Sequence, residues 1–334
     1  MLNAAKRVSK KRTNSDLSTT STVPPSPAKK ARSASYQVTP LDPASYEASL
    51  ALPESEAGEE ELRDVVVHTN RAPLVVAFAV TVLKYTMPEQ PLSSRLSLAQ
   101  AMCNANSQSK AKSLGIRKGQ TAEEEGWGEG QPLATVLNRK IQVMKRWGYS
   151  WKEDEDNVQD WVIEEEEEKE GEEEKDTASS QGTIRADDNN TQDTSIPEEP
   201  ALWGVDLDQL KKASTPVTSE SQRGAANSLP IYRPESARAY LLKSFASKPD
   251  ASASPAKGKK KNLTEEKERN LGMLLRALDL LCQSWHGILD NEDLDRRAWG
   301  WYCSVRPDVR SGVAGWGGKG NVALADILGL RRPP

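Results

Sequence analysis

The chain has 334 residues, of which 36% are hydrophobic and 28% charged; it carries a net charge of −4, nine Trp and only two Phe. Averaged over that length, it holds too little apolar surface to offset the entropy of ordering every residue, which excludes a uniformly packed chain and fits about two domains of ~100–200 residues at most. Three Cys and two His, all widely spaced, argue against a disulfide framework or a zinc site, and no apolar run reaches the ~20 residues a bilayer crossing needs. The expectation is a soluble intracellular protein with reduced thiols.

Residues 1–41 read as a disordered basic tail. Within residues 1–37, eight Lys and Arg stand against a single Asp16. "KRVSKKR" (Lys6, Arg7, Lys10, Lys11, Arg12) and "PAKKAR" (Lys29, Lys30, Arg32) have the cluster–spacer–cluster form that nuclear import receptors hold in acidic, aromatic grooves. Nonspecific nucleic-acid contact and a plain solubilising tail are the alternatives. No amphipathic pattern or lipidation signal supports membrane binding. The tetrapeptide "SPAK" occurs at Ser26–Lys29 and again at Ser254–Lys257. A phosphate on Ser26 or Ser254 would add about −1.5 to −2 charges beside the lysines; chance recurrence in low-complexity sequence is the competing account.

Residues 42–151 read as a helical region with a hairpin. "LDPASYEASLAL" opens a helix with Asp42 as N-cap and Pro43 in first position. The acids of "EEELRDVVVHTN" suit a helix N-terminus. In "NRAPLVVAFAVTVLKYT", Leu74–Leu83 is apolar on every face, as for a helix at the centre of a bundle, although its β-branched residues would also allow a buried strand. "LSSRLSLAQAMCNANSQSKAKSLGI" predicts a long helix capped by Ser93 or Ser94, with Leu96, Ala99, Met102 and Ala105 or Asn106 buried and Gly115 as its stop. "LATVLNRKIQVMKRWGYSW" predicts a hairpin turning at Asn138-Arg139.

Residues 152–200 form an acidic linker, expected to be disordered. Fifteen acids in residues 153–176 face only Lys169 and Lys175. A solvated spacer is the ordinary fate of such a run. It could instead engage basic partners such as histone tails or the N-terminal lysines. "DWVIEEEEE" also has the form of a peptide that adds to a sheet edge, as in recognition by SUMO.

Residues 201–334 read as a second helical region, interrupted by a flexible lysine loop at 248–262. "RPESARAYLLKSFAS" predicts a helix led by Pro234. Leu271, Leu274, Leu275, Leu278, Leu281, Trp285, Ile288 and Leu289 recur at helical spacing. Asp290 or Asn291 would cap a further helix burying Leu294, Ala298, Trp301, Tyr302 and Val305. "GWGGKGN" lacks the Lys-Ser/Thr pair of a phosphate loop, so its glycines predict a tight turn over Trp316. Glu292, Asp293 and Asp295 read as first-turn acids, and His68 and His286 as lone histidines in helical patterns. No acid, base and nucleophile set emerges, so the expectation is no enzyme, no cofactor and no metal. Arg296, Arg297, Arg306 and Arg310 are candidate phosphate contacts. The fold class expected is mainly α: two small helical regions with one β-hairpin, joined by long charged segments.

"TNRAPLVVAFAVTVLKYTMPEQPLSSRLSLAQAMCNANSQSKAKSLGI", "AEEEGWGEGQP", "RPESARAYLLKSFAS" and "LDRRAWGWYCSVRPDVRSGVAGWGGKG" resemble a group of filamentous-fungal proteins, some of which carry an IMPACT domain. The resemblance covers both helical regions. It implies translational control in the amino-acid-starvation pathway, through the kinase's large ribosome-associated activator. The chain departs from the IMPACT pattern: neither a "DDGE"-like segment nor a "WYGG"-like turn is present, and no residue role carries over.

Three functions remain open from the sequence. One is a non-enzymatic nuclear interaction or scaffold protein, bound by import receptors and nuclear partners, with shuttling to the cytoplasm as a variant. The others are an IMPACT-related regulator of translation and a nucleic-acid- or chromatin-binding protein.

Overall fold

A computed structural model describes residues 42–151, 199–214, 229–248 and 260–333, the side chains of 260–262 excepted. The expectations for the basic tail, the acidic run, Ser26 and Ser254 lie outside these residues, as does the lysine loop between Lys248 and Lys260; its expected last residues, 260–262, already belong to a helix.

The centre of the body follows from the least polar stretch. Helix α3 (Arg71–Thr86) buries every residue from Pro73 to Leu83. A helix with no polar stripe must be enclosed on all sides, and four others enclose it: α4 (Leu92–Ser113), α6 (Pro234–Leu242), α7 (Lys260–Trp285) and α8 (Asn291–Val305). Each fully buried Leu, Val or Phe there contributes about 1.5–3 kcal/mol of transfer free energy. The β-branched residues of α3 do not divert it into a strand.

Strand β1 (Val66–Asn70) comes just before α3. The acid-led helix ends before it, at Arg63 (α2, Glu59–Arg63). Val67 and Thr69 are buried and alternate with more exposed neighbours, the period of two that a half-covered strand requires.

The segment that begins at Asp42 packs against helices from both halves of the described chain. Asp42 caps α1 (Pro43–Ser49) as expected, accepting from the Ser45 N–H at 2.9 Å. The cap expected for α4 is different, because Ser93 and Ser94 lie inside the helix and are buried. The Ser93 N–H donates instead to Glu47 of α1 at 2.9 Å, so a carboxylate from another helix satisfies an orphan donor at the positive end of α4. The Tyr149 hydroxyl donates to the other oxygen of Glu47 at 2.8 Å. The helix stops at Gly115 (φ 70°), where the Ile116 N–H reaches back to the Ala111 carbonyl at 2.9 Å.

The sheets correct the expected architecture. A single hairpin was predicted, but the body holds two three-stranded antiparallel sheets and is 52% helical, a mixed α/β structure. One sheet has the order β2 (Leu133–Val136), β3 (Arg139–Arg146), β4 (Ala201–Gly204). The other places β1 between β5 (Ala246–Ser247) and β6 (Lys319–Ala323). Each sheet therefore joins strands from 42–151 to strands from 201–334. One hydrophobic core runs from Leu50 to Leu328. The physical reason is α3: an all-apolar helix needs walls from both halves of the chain, so the halves close one core together.

Two local features fix the β2–β3 hairpin. Its turn centres on Leu137 and Asn138, one residue earlier than expected, with φ of 47° and 61°. Positive φ at both central residues gives the twist a tight hairpin needs, but it is unusual for leucine. The Asp295 carboxylate, on α8, accepts from the Leu137 and Asn138 N–H groups at 2.6 Å each and holds the turn. Register then runs through β3 to β4, pairing Val143 with Gly204 and Arg146 with Ala201.

Candidate interaction surface

The segment between α8 and β6 is built around its glycines. A Cβ added to Gly315 would stand 1.7 Å from the Arg310 carbonyl oxygen, and one at Gly320 would stand 2.7 Å from that of Asp308. Only glycine admits main chain at such distances. The strand end Gly318–Gly320 is thereby pressed onto residues 308–310, with a short 3-10 turn at Gly312–Gly315. Arg71 ties the loop's start to α3 by donating from Nε to the Pro307 carbonyl at 3.2 Å.

This construction corrects the reading of Trp316. The glycines were expected to turn over its ring, but they close on carbonyl oxygens and leave the indole outside. Trp316 is 45% exposed and Val313 60% exposed. Arg306, Arg310 and Lys319 are exposed on the same segment, as is Asp308, and the three cations hold no ion pair among the described residues.

The strand that follows has an open edge. The Leu324 N–H donates to the Val65 carbonyl at 3.0 Å, and the β1–β6 register pairs Val322 with Val67 and Gly320 with Thr69. Alternation in an antiparallel ladder then turns the N–H and C=O groups of Lys319, Asn321 and Ala323 away from β1. No described residue bonds to these N–H groups. On the exposed face, the Asn321 Oδ1 and His68 Nδ1 lie 3.0 Å apart.

The four arginines named from the sequence do not form one phosphate site. Arg296 is ion-paired with Asp293, and the Arg297 guanidinium lies 4.1 Å above the Trp285 ring. Successive residues on a helix point about 100° apart, so these two face different directions, while Arg306 and Arg310 belong to the loop. Trp301 and Tyr302 are buried as expected. No family model, curated protein or solved structure matches the chain.

The remaining expectations sort by burial. Glu292 and Asp293 are first-turn acids of α8, capped by Asp290, whereas Asp295 is the buried clasp of the hairpin turn. Burial pushes its carboxyl above the ordinary carboxylate range, against the pull of the N–H groups of Asn138 and Leu137. His68 is in a strand rather than a helix, and the His286 ring sits just past the end of α7, 5.3 Å from Tyr85.

One cleft was not foreseen. It measures about 470 Å³ between α4, α5 (Leu207–Ala213) and α6, and is lined by Cys103, Asn104, Asp206, Tyr232, Arg233 and Tyr240 among others. Some of its polar groups serve the fold: Asn104 donates to the Tyr232 hydroxyl, and Asp206 caps α5 through the Gln209 N–H at 3.1 Å. Burial pushes the Cys103 thiol up to about 12, with a smaller opposing effect from the Ser107 hydrogen bond, so no thiolate is available at neutral pH. The cleft gathers three distant segments with no shared motif, so it leaves no signal in the sequence.

Proposed function

We propose that this chain is a non-enzymatic interaction protein of the nucleus, and that the loop from Arg306 to Lys319 is its principal contact surface. One observation carries the reading: a glycine-built loop leaves Val313 and Trp316 exposed on the same segment as three cations that hold no ion pair among the described residues. Apolar side chains centred in a polar rim are the usual anatomy of a recognition patch, and Trp and Arg are its usual anchors. The nuclear part rests on the basic clusters at Lys6–Arg12 and Lys29–Arg32.

The test is affinity purification of the tagged full chain from its host, beside a Trp316→Ala variant. The same set of co-purifying proteins with both would refute the reading, and loss of specific partners with the variant is expected. A fluorescent fusion that stays cytosolic with or without the basic clusters would remove the nuclear assignment.

A second reading rests on the same three cations. An exposed tryptophan among them could stack on a base of single-stranded nucleic acid. It requires affinity that falls steeply with salt.

A further inference from the structure

Resting on the reading of this surface as a contact site, we infer that its partner is an extended acidic peptide of another protein, which adds as a strand to the free edge of β6. The edge offers the N–H and C=O groups of Lys319, Asn321 and Ala323 to an incoming main chain. Strand addition uses such an edge for affinity and neighbouring side chains for choice of partner. Here the neighbouring side chains are Arg306, Arg310 and Lys319, which favour carboxylates, and Val313 and Trp316, which favour an apolar residue where the strand begins.

Charge and main-chain chemistry decide between occupants. A second copy of this protein would bring the same three cations together at the contact. Nucleic acid supplies phosphates but no main chain that can pair with a strand. The chain's own "DWVIEEEEE" (Asp160–Glu168) has the same chemistry as the proposed peptide, so its occupancy of the edge is one of the outcomes that the test separates.

The probe is a fluorescein-labelled peptide of Trp-Val-Ile followed by a run of glutamates, titrated by anisotropy into the full chain. Binding is expected, weakened about tenfold or more when alternate peptide nitrogens are methylated, since methylation removes the pairing donors. Replacing its glutamates by lysines should abolish binding. Asn321→Pro should also abolish it: the lost N–H points away from β1, so pairing within the sheet survives, and proline is tolerated at an edge. Arg310→Ala provides a second variant that leaves the strand untouched.

Equal binding of the methylated or lysine peptide overturns the inference. So does binding that appears only after Glu164–Glu168 are changed to glutamine, which would make the chain's own segment the occupant. Tighter binding of an oligothymidylate, competing with the peptide, overturns it in favour of nucleic acid. If Trp316→Ala loses co-purifying partners while the acidic peptide never binds, the contact site stands and the acidic strand falls. If neither experiment responds, both fall.

Discussion

Gly204 of β4 packs directly on Ala101 of α4: a Cβ added to the glycine would stand 2.5 Å from the alanine Cβ and 3.0 Å from the Ser97 carbonyl oxygen. Ser97 also accepts the Gly204 N–H at 3.0 Å and donates to the Tyr232 carbonyl at 2.7 Å. Gly204→Ala should therefore destabilise the body by about 1–3 kcal/mol, the usual cost of overpacking. Adding Ala101→Gly should recover part of that loss. Urea unfolding of the two single variants and the double variant measures the coupling, and strict additivity would show that the contact carries no weight.

The Asp295 clasp makes a second case. Asp295→Ala leaves the Leu137 and Asn138 N–H groups without their acceptor, with leucine still at positive φ. A loss of about 1–3 kcal/mol is expected for the buried Leu137 N–H left unpaired, and less for that of Asn138, an exposed residue whose amide water can reach. Hydrogen exchange should show the Leu137 and Asn138 amides losing protection before the centre of α3 does.

Acid sensitivity is expected at Asp279. Burial opposes its charge, but donation from Lys84 at 2.9 Å and Tyr85 at 2.7 Å outweighs it, so the carboxyl sits below its ordinary 3.8. A depressed carboxylate stabilises the fold fully above its unfolded value and loses that contribution as pH falls through the folded one. The denaturation midpoints of the wild type and Asp279→Asn should thus differ at neutral pH. That gap should close as pH drops below 3.8. A gap unchanged down the whole range would contradict the assignment.

The thiols should react in a fixed order. Cys103 and Cys282 are buried, and burial raises both thiols to about 12. Cys303 is only half-buried. Alkylation of the native protein followed by mass spectrometry should label Cys303 first, with the other two labelled only on unfolding.

Helices with caps and sustained periodicity were legible in the sequence. Asp42, Pro43, Gly115, Pro234 and Asp290 each sit where local chemistry alone requires, and the leucine stripe of α7 is buried at Leu271, Leu274, Leu278 and Leu281. The strands were not. β4, β5 and β6 are four, two and five residues long, too short for alternation to register, and each is a strand only because of a distant partner. The same holds for Glu47 and Asp295, whose roles depend on amides 46 and 157–158 positions away. At the candidate surface the glycines were visible as a turn, but the direction of Trp316 depends on which carbonyls they meet.

Because each sheet is sewn from strands that lie on either side of residues 152–198, a cut between Trp151 and Ala201 would divide both sheets between two polypeptides. Two polypeptides cut in that stretch would each lack walls for the apolar helix and should be unfolded alone, yet meet and fold when mixed. The body would then serve as a split reporter, its assembly announcing that two fused proteins had come within reach of each other.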